Sequence, residues 1–240
     1  MGRLFEVRKS SMFARYDRMA KQFTRVGKEI VIAVKAAGPD PDHNPALRRA
    51  IQNGRAVNMP KSNIEQAIKR ALGKDTSSYD EVMFEGYAPH GIAVIAECAT
   101  DNNTRTVANV RACFSKAKGS LGTNGSVSFQ FNKYAVFQLN PEGLDLDELE
   151  LELIDHGLEE LGEGKSENDE DVVVIRATFT EFGTMQSALE EKGMKVVSSG
   201  TEWVPSVFLE LGEDEAADVL KMIAKLEEDE DVNRVFHNLK

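Results

Sequence analysis

The sequence predicts an α+β protein with an N-terminal helical domain, a split βαββαβ (ferredoxin-like) domain, and a smaller α/β domain inserted in the second one. Apolar residues recur at helical spacing through the first third of the chain, and the pattern changes to that of strands after a polar stretch at residues 74–78. Elements near the C-terminus then complete a motif that starts in the middle of the chain. We therefore expect three domains, at residues 1–78, at 79–132 together with 205–240, and at 133–204.

The first third is predicted to be helical, and the ends of its helices are recognisable. Gly38 precedes a proline and stops the first helix, and Asn44 can cap a second helix that starts at Pro45. Ser62 and Glu65 have the spacing of a capping box for a third helix. The apolar face of the first helix is formed by Phe23, Val26, Ile30 and Val34.

The second domain is predicted from short apolar runs separated by two helical segments. The predicted helices cover residues 104–117 and 216–226, and the predicted strands cover residues 82–84, 92–96, 126–131, 207–211 and 232–239. Asn132 and Lys133 are predicted to form a turn where the chain leaves this domain.

The inserted domain is predicted to alternate strands and helices. Its predicted strands cover residues 135–139, 172–177 and 195–198, and its predicted helices cover residues 146–158 and 182–191. The acidic run at residues 159–171 lacks the ligand order of an EF-hand, so we interpret it as a solvated loop.

The charge is divided unevenly along the chain, which the net charge of −11 conceals. Residues 1–78 contain 16 lysines and arginines and 7 acidic residues, a formal charge of +9, whereas residues 79–240 contain 13 and 33, a charge of −20. Such asymmetry is typical of a chain whose basic part meets nucleic acid or another anionic surface. The competing interpretation is a small helical domain that is merely basic.

The densest basic cluster lies at residues 3–28, where aromatic residues are interleaved with it. Basic groups neutralise phosphates, and aromatic rings such as Phe5 can stack on unpaired bases. In the competing interpretation the charged residues form a solvated helix face and Phe23 packs in the core. For Phe23 we favour this core position. A second basic set occupies the later helices. The predicted nucleic-acid-binding residues are Arg3, Arg8, Lys9, Arg15, Arg18, Lys21, Arg25, Lys28, Arg48, Arg49, Arg55, Lys61, Lys69 and Arg70.

A glycine-rich stretch at residues 118–126, KGSLGTNGS, is a candidate phosphate-binding loop. Backbone N–H groups that glycine leaves accessible can cradle a phosphate, and the spacing resembles the GxxG of KH loops. An ordinary connection between a helix and a strand is an equal alternative. The candidate residues of this loop and of the preceding helix are Arg105, Lys118, Gly119, Gly122 and Gly125.

No catalytic or metal-binding constellation emerges from the sequence. The string DNNTRT at residues 101–106 is interpreted as a helix cap at Asn103 or Thr104, and His90 has no serine or cysteine partner at a known spacing. The two cysteines lack CxxC spacing. We therefore predict a protein that is not an enzyme and has neither a cofactor nor a metal site.

The sequence also predicts a cytoplasmic protein without a membrane partner. No apolar run approaches the ~20 residues of a membrane span. The N-terminus has no apolar core of the kind found in secretory signals.

Several strings, in order along nearly the whole chain, resemble the YebC family. They are GRLFEVRKSSM, DPDHNPALRRAIQNGRAVNMPKSNIEQAIKRA, EGYAPHG, TDNNTRTVANVR, GSLGTNGSVSFQF and EDVNRVFHN. The resemblance implies a three-domain fold and a role in gene expression, since members are described as probable transcriptional regulators, mitochondrial relatives as translational activators, and bacterial ones are linked to the ribosome. The opening MGRLFEVRKSSM stands where the main branch has AGHSKWANIKHRK, and Ala88 and Lys118 stand where glycine is usual.

Two functions remain open at the level of sequence. The first is a translation-associated factor that binds RNA or the ribosome, because loop glycines and interleaved aromatic residues suit irregular RNA better than a regular duplex. The alternative is a DNA-binding transcriptional regulator, which the tight helix pair around residues 58–60 supports although no helix rich in base-reading side chains stands out. The acidic domains would repel phosphate or bind basic protein partners.

Overall fold

The computed structural model describes residues 3–73 and 78–240, and their side chains from Arg18 onward. The chain divides into two compact units, residues 1–78 and 79–240. Helices make up the first unit and two antiparallel sheets with their helices make up the second, which confirms the α+β class.

The first unit is built on one long helix. Helix α1 covers Arg3–Ala37 and is about 52 Å long. Helices α2 (Pro45–Ala56) and α3 (Lys61–Ala71) both pack against it and against each other. The buried apolar residues of these helices include Val26, Ile30, Val34, Leu47, Ala50, Ile64 and Ala67.

The predicted cap of α2 is confirmed, and the predicted cap of α3 is wrong. The side-chain oxygen of Asn44 accepts a hydrogen bond from the amide of Leu47 at 3.0 Å, and its Nδ2 donates to the carbonyl of Ala33 at 2.7 Å. Helix α3, however, has Pro60 at its cap position without a side-chain hydrogen bond. Ser62 therefore lies inside the first turn, where it cannot act as the cap that its spacing to Glu65 suggests.

The second unit contains eight strands and four helices. In chain order these are β1 (Asp80–Tyr87), β2 (Ala93–Thr100), α4 (Asn103–Lys116), β3 (Ser120–Leu121), β4 (Phe131–Leu139), α5 (Leu146–Leu153), β5 (Leu158–Lys165), β6 (Asp171–Thr178), α6 (Phe182–Glu191), β7 (Val196–Pro205), α7 (Glu213–Glu227) and β8 (Val232–His237). Short 3₁₀ turns connect several of them, among them Ser128–Gln130 just before β4.

The first sheet has the strand order β3-β1-β2-β8, with all neighbours antiparallel. Strands β2 and β3, joined through α4, are therefore parallel to each other with β1 between them. The order is ferredoxin-like. The strand between β2 and β3 is β1, which forms a hairpin with β2. The strand predicted at residues 207–211 does not take this place. Only a single bridge between Leu209 and Leu239 forms there.

The predicted strand at residues 126–131 is also wrong. The amides of Val127 and Ser128 donate hydrogen bonds to the carboxylate of Glu85, so they cannot serve a strand ladder. The chain turns at Ser128–Gln130 and only then enters β4. The predicted turn at Asn132 and Lys133 lies inside β4 and pairs with β7.

The second sheet has the order β5-β6-β4-β7 and the connectivity βαββαβ, so it is the sheet with the ordinary split βαβ arrangement. The residues predicted as an acidic loop supply β5. Leu158 and Leu161 pack on the core while most of the other β5 side chains are exposed, which is the pattern of an edge strand. Along the chain, the strands of this second sheet follow β3 and precede α7, which both belong to the first sheet and its helices.

Each sheet packs helices on one face, and the two sheets meet on the other face of the first sheet. Helices α4 and α7 bury Val110, Phe114, Val219 and Leu226 against the first sheet, and α5 and α6 bury Leu149, Leu153, Met185 and Leu189 against the second. The contact between the sheets is formed by Ala93, Ile95, Val127, Phe131 and the half-buried Trp203. Among the described residues, no helix is both long and apolar enough to cross a membrane.

Candidate nucleic-acid interface

One stripe of α1 carries four of the predicted contacts. Arg18, Lys21, Arg25 and Lys28 follow one another at intervals of three, four and three residues, which places them on one side of the helix. Arg18 and Lys21 are exposed and Arg25 is half-buried. The other predicted contacts of α1 lie outside the described side chains, as does Phe5. They are Arg3, Arg8, Lys9 and Arg15.

Lys28 differs from the rest of this stripe because it is only 7% exposed. A side chain buried to this extent cannot release a shell of counterions to a phosphate in the way an exposed lysine does. We therefore interpret Lys28 as part of the packing of the first unit and not as a phosphate contact.

The shorter helices present the second basic set on their outer faces. Leu47, Ala50 and Gly54 form the buried side of α2, and Arg48 and Arg55 project away from it. The remaining members of the set are the half-buried Arg49 and the exposed Lys61, Lys69 and Arg70. Lys61 lies 3.7 Å from Glu65, its neighbour one turn along α3.

Few acidic groups oppose this positive charge. Residues 18–73 contain eleven lysines and arginines but four acidic residues, Glu29, Asp40, Asp42 and Glu65. The carboxylate of Asp40 is hydrogen-bonded to Nδ1 of His43 at 2.7 Å, and this bond is the main cause that holds the pKa of Asp40 below its ordinary value. The first unit thus presents a surface dominated by cations.

The glycine-rich loop is a cradle for an anion, but the anion is a side chain of the protein itself. Glu85 is 1% exposed, and its carboxylate accepts hydrogen bonds from the amides of Gly125, Val127 and Ser128, each at 2.8 Å. Burial acts to raise the pKa of Glu85, yet these amides outweigh it and hold the pKa below its ordinary value. The assignment of this cradle to a phosphate is therefore corrected: it is occupied by Glu85.

The other glycines of the loop are required by close packing. A Cβ atom at Gly119 would lie 2.5 Å from the carbonyl oxygen of Tyr87, and one at Gly122 would lie 2.3 Å from Oγ of Ser126. The Gly122 amide also donates a hydrogen bond to the backbone carbonyl of Glu85. These contacts account for both glycines without a ligand.

Apart from Lys118, the remaining member of the predicted phosphate site is Arg105, which is exposed but paired with two carboxylates. Its Nη2 lies 2.6 Å from Asp231 and 2.9 Å from Asp101, and these hydrogen bonds raise the pKa of Arg105. Asp231 is nearly buried and also accepts hydrogen bonds from the hydroxyls of Thr100 and Thr106. The string DNNTRT is thus a structural junction, and its helix cap is Asn102 and not either of the two predicted residues.

The described side chains show no group of three or more histidines, cysteines, aspartates or glutamates that could hold a metal ion. His90 lies 3.6 Å from Glu215 and 3.5 Å from Asp218, both on α7. These contacts tie the turn after β1 to α7, and they bring no nucleophile to the histidine.

Two residues of this region, Glu85 and Phe129, were not predicted from the sequence. Glu85 lies in strand β1, whose side chains point alternately to the two faces of the sheet. Only its position on an inward-facing side of β1 could have indicated that it is buried. Phe129 is 74% exposed although the predicted strand at residues 126–131 would have paired it in a sheet. The failed strand prediction concealed the exposed aromatic ring.

Comparison with known proteins gives matches along the whole chain. The family model described as "TACO1/YebC protein N-terminal domain" matches residues 3–74, and the one described as "TACO1/YebC second and third domain" matches residues 79–239. A protein of Myxococcus xanthus named "Probable transcriptional regulatory protein" is 58% identical over 239 residues, covering 100% of both chains. A protein of Flavobacterium johnsoniae with the same name is 53% identical, covering 100% of this chain and 99% of its own.

A solved structure shows the same architecture. The crystal structure of a conserved hypothetical protein from Aquifex aeolicus is 34% identical and superposes with a TM-score of 0.78, covering 92% of this chain and 90% of that one.

Proposed function

Because the chain belongs to the TACO1/YebC family, we propose that it is a nucleic-acid-binding regulator of gene expression, and more specifically a translation-associated factor that binds RNA or the ribosome. The proposal places the protein in the cytoplasm and assigns it neither catalysis nor a cofactor.

The observation that carries the proposal is the exposed basic surface of the first unit. Arg18, Lys21, Arg48, Arg55, Lys69 and Arg70 are exposed on three helices whose apolar residues are buried. Charges on exposed side chains contribute little to folding, whereas each one that meets a phosphate releases counterions and favours binding. The first unit therefore supplies general affinity for a polyanion.

The acidic second unit restricts how a polyanion approaches. With a formal charge of −20 it repels phosphate over most of its surface, which orients the chain so that the basic helices face the nucleic acid. The same charge suits basic proteins, and we include ribosomal proteins of that kind among the proposed partners.

A DNA-binding transcriptional regulator is the second candidate. The relatives carry the name of transcriptional regulatory proteins, and α2 and α3 are joined by a short connection in which Asn58 has a φ of +59°. Such a connection occurs in helix-turn-helix proteins, whose second helix enters the major groove. On α3 the exposed Ser62 and Gln66 would then be the side chains that reach base edges.

The two candidates are separated by cross-linking in cells followed by sequencing of the RNA and the DNA that are bound. The translational proposal predicts that ribosomal or messenger RNA is recovered and that the full chain co-sediments with ribosomes. Recovery of one set of promoter duplexes, with no co-sedimentation, would replace it with the transcriptional candidate.

A further inference from the structure

The second unit contains one long stretch without an acidic residue. Residues 102–141 include no aspartate or glutamate and five basic residues, whereas the rest of residues 79–240 contains eight basic residues and all 33 acidic ones. The stretch covers α4, the edge strand β3, the glycine-rich loop and β4. Arg105 and Lys133, towards its two ends, pair with Asp231 and Glu97, so a polyanion that approaches the acidic unit is expected to meet least repulsion between them, around Lys118.

An aromatic ring is exposed within this stretch on a backbone that is fixed on both sides. The amide of Ser128, which precedes Phe129, donates to the Glu85 carboxylate, and Nε2 of Gln130, which follows it, donates to the hydroxyl of Tyr87 at 3.0 Å. The carbonyl of Gln130 also accepts a hydrogen bond from the amide of Ser206 at 2.8 Å. The buried carboxylate thus holds the turn that presents Phe129 to solvent.

A second apolar segment lies beside this ring. The hydrogen bond between Ser206 and Gln130 continues the pairing of β4 with β7, so the residues after Ser206 run next to Phe129. Two of them, Val207 and Phe208, are 67% and 51% exposed. Residues 203–209 also contain no acidic residue.

A cation stands just before the edge strand. Lys118 is exposed and has a φ of +63°, a backbone conformation that residues other than glycine rarely adopt. Within the residues that the structure describes, it makes no ion pair. Its charge is thus available at the same edge of the sheet from which the loop leads to Phe129.

From these observations we propose that the segment from Lys118 to Phe129 is a second contact for RNA, at which an unpaired base stacks on Phe129 and a backbone phosphate meets Lys118. The inference rests on the proposed function and extends it to a site on the acidic unit. The charge favours a polynucleotide over a protein here, because basic proteins suit the acidic surfaces of this unit, whereas Lys118 is an exposed cation in a stretch of sequence without acids. An aromatic face accepts any unpaired base, whereas a duplex keeps its bases stacked and leaves Phe129 without a partner.

The test measures the affinity of the full chain for an RNA hairpin with an unpaired loop and for a fully paired RNA of the same length. Phe129→Ala should weaken binding to the hairpin by about 5- to 150-fold and leave binding to the paired RNA nearly unchanged. Phe129→Leu should weaken hairpin binding too, because leucine keeps the apolar surface but has no aromatic face. A single-stranded DNA of the loop sequence shows whether the site needs the ribose hydroxyl.

Leu151 on α5 provides a matched control, since it is 75% exposed and lies between Glu150 and Glu152. Leu151→Ala should leave both affinities unchanged.

A separate variant tests the cation. Lys118→Gly relieves the left-handed backbone conformation, so the thermal midpoint should not fall. Because it also removes the charge, the slope of log affinity for the hairpin against log salt should decrease by about 0.7, the contribution of one phosphate on a single strand.

The outcomes separate this inference from the proposed function. If the wild type binds the hairpin and Phe129→Ala binds it equally well, the segment is not an RNA contact, although the basic helices can still be one. Equal binding by Phe129→Leu and wild type, with loss only in Phe129→Ala, would show an apolar contact and would also overturn stacking. A wild type that binds no RNA would overturn both proposals.

Discussion

At the scale of single residues, Glu85 is a carboxylate in an unusual environment, since it is 1% exposed. A buried carboxylate costs free energy unless its hydrogen bonds are satisfied, and here three backbone amides satisfy it. Glu85→Gln replaces one acceptor oxygen with an amide group that donates, so one of the amides of the loop loses its partner. We expect the free energy of unfolding to fall by about 1–3 kcal/mol at neutral pH, measured by urea denaturation of the full chain.

The loss should depend on pH in a defined direction. Since the folded protein holds the pKa of Glu85 below its ordinary value of 4.5, the stabilisation is complete above that value and is lost as the pH falls through the folded-state pKa. The difference between wild type and Glu85→Gln should therefore shrink in acid. A difference that is constant from neutral pH into the acid range would show that the carboxylate is not ionised in the folded chain.

Arg105 should affect stability and not binding. Arg105→Ala leaves the nearly buried carboxylate of Asp231 without its cationic partner, so the thermal midpoint should decrease while the affinity for RNA stays the same. Arg111→Ala, which removes an exposed charge from the same helix, is the control for the midpoint and should leave it unchanged. A loss of RNA affinity in Arg105→Ala without a change in stability would restore Arg105 to the binding site.

At the scale of elements, the helices were predictable and the strands were predictable only where one face is clearly apolar. Helix α6 has its predicted bounds, since its apolar spacing is regular, and Asn44 before a proline is a strong start signal. Strand β5 was missed because an edge strand with glutamates and glycines lacks the alternation of a buried one. The strand predicted at residues 126–131 failed for a different reason: its amides bind a side chain 42 residues earlier, which no local pattern shows.

The packing of α1 gives a prediction for the first unit. Ile30 is fully buried in α1. Ile30→Ala should destabilise the first unit by about 2–5 kcal/mol, because it removes buried methylene groups and leaves a cavity. Hydrogen exchange of the α2 and α3 peptides reports on this unit separately. Arg18→Ala on the same helix is exposed and should leave that exchange unchanged; an equal effect of both substitutions would contradict the assigned faces of α1.

At the scale of the whole molecule, the sequence determines the charge distribution, and the family resemblance is confirmed along the chain. The chain divides into two compact units, and the further division of the second unit into two domains remains a proposal. Which basic residues are exposed could not be predicted, and Lys28 shows why: its place on the stripe follows from spacing, but its burial depends on packing from elsewhere in the fold. The role of the glycine-rich loop could not be predicted either, because the sequence does not show that its amides bind the Glu85 carboxylate and not a phosphate.

The central claim is that exposed cations of the first unit bind nucleic acid, and it is tested most directly by the salt dependence of RNA binding by the full chain. Arg18, Arg55 and Lys69 are exposed on α1, α2 and α3, and their joint replacement by alanine removes three charges from the first unit. The control replaces Lys165, Lys225 and Lys240, which removes the same charge from exposed positions where each lysine already pairs with an acid.

The account predicts that the first triple variant binds RNA more weakly and that the slope of log affinity against log salt decreases by about 2, since each lost phosphate contact on a single strand contributes about 0.7. The control should keep both the affinity and the slope of the wild type. Equal weakening in the two variants would mean that only net charge matters, and an unchanged slope in the first would mean that these helices do not contact the nucleic acid. Either result would contradict the claim.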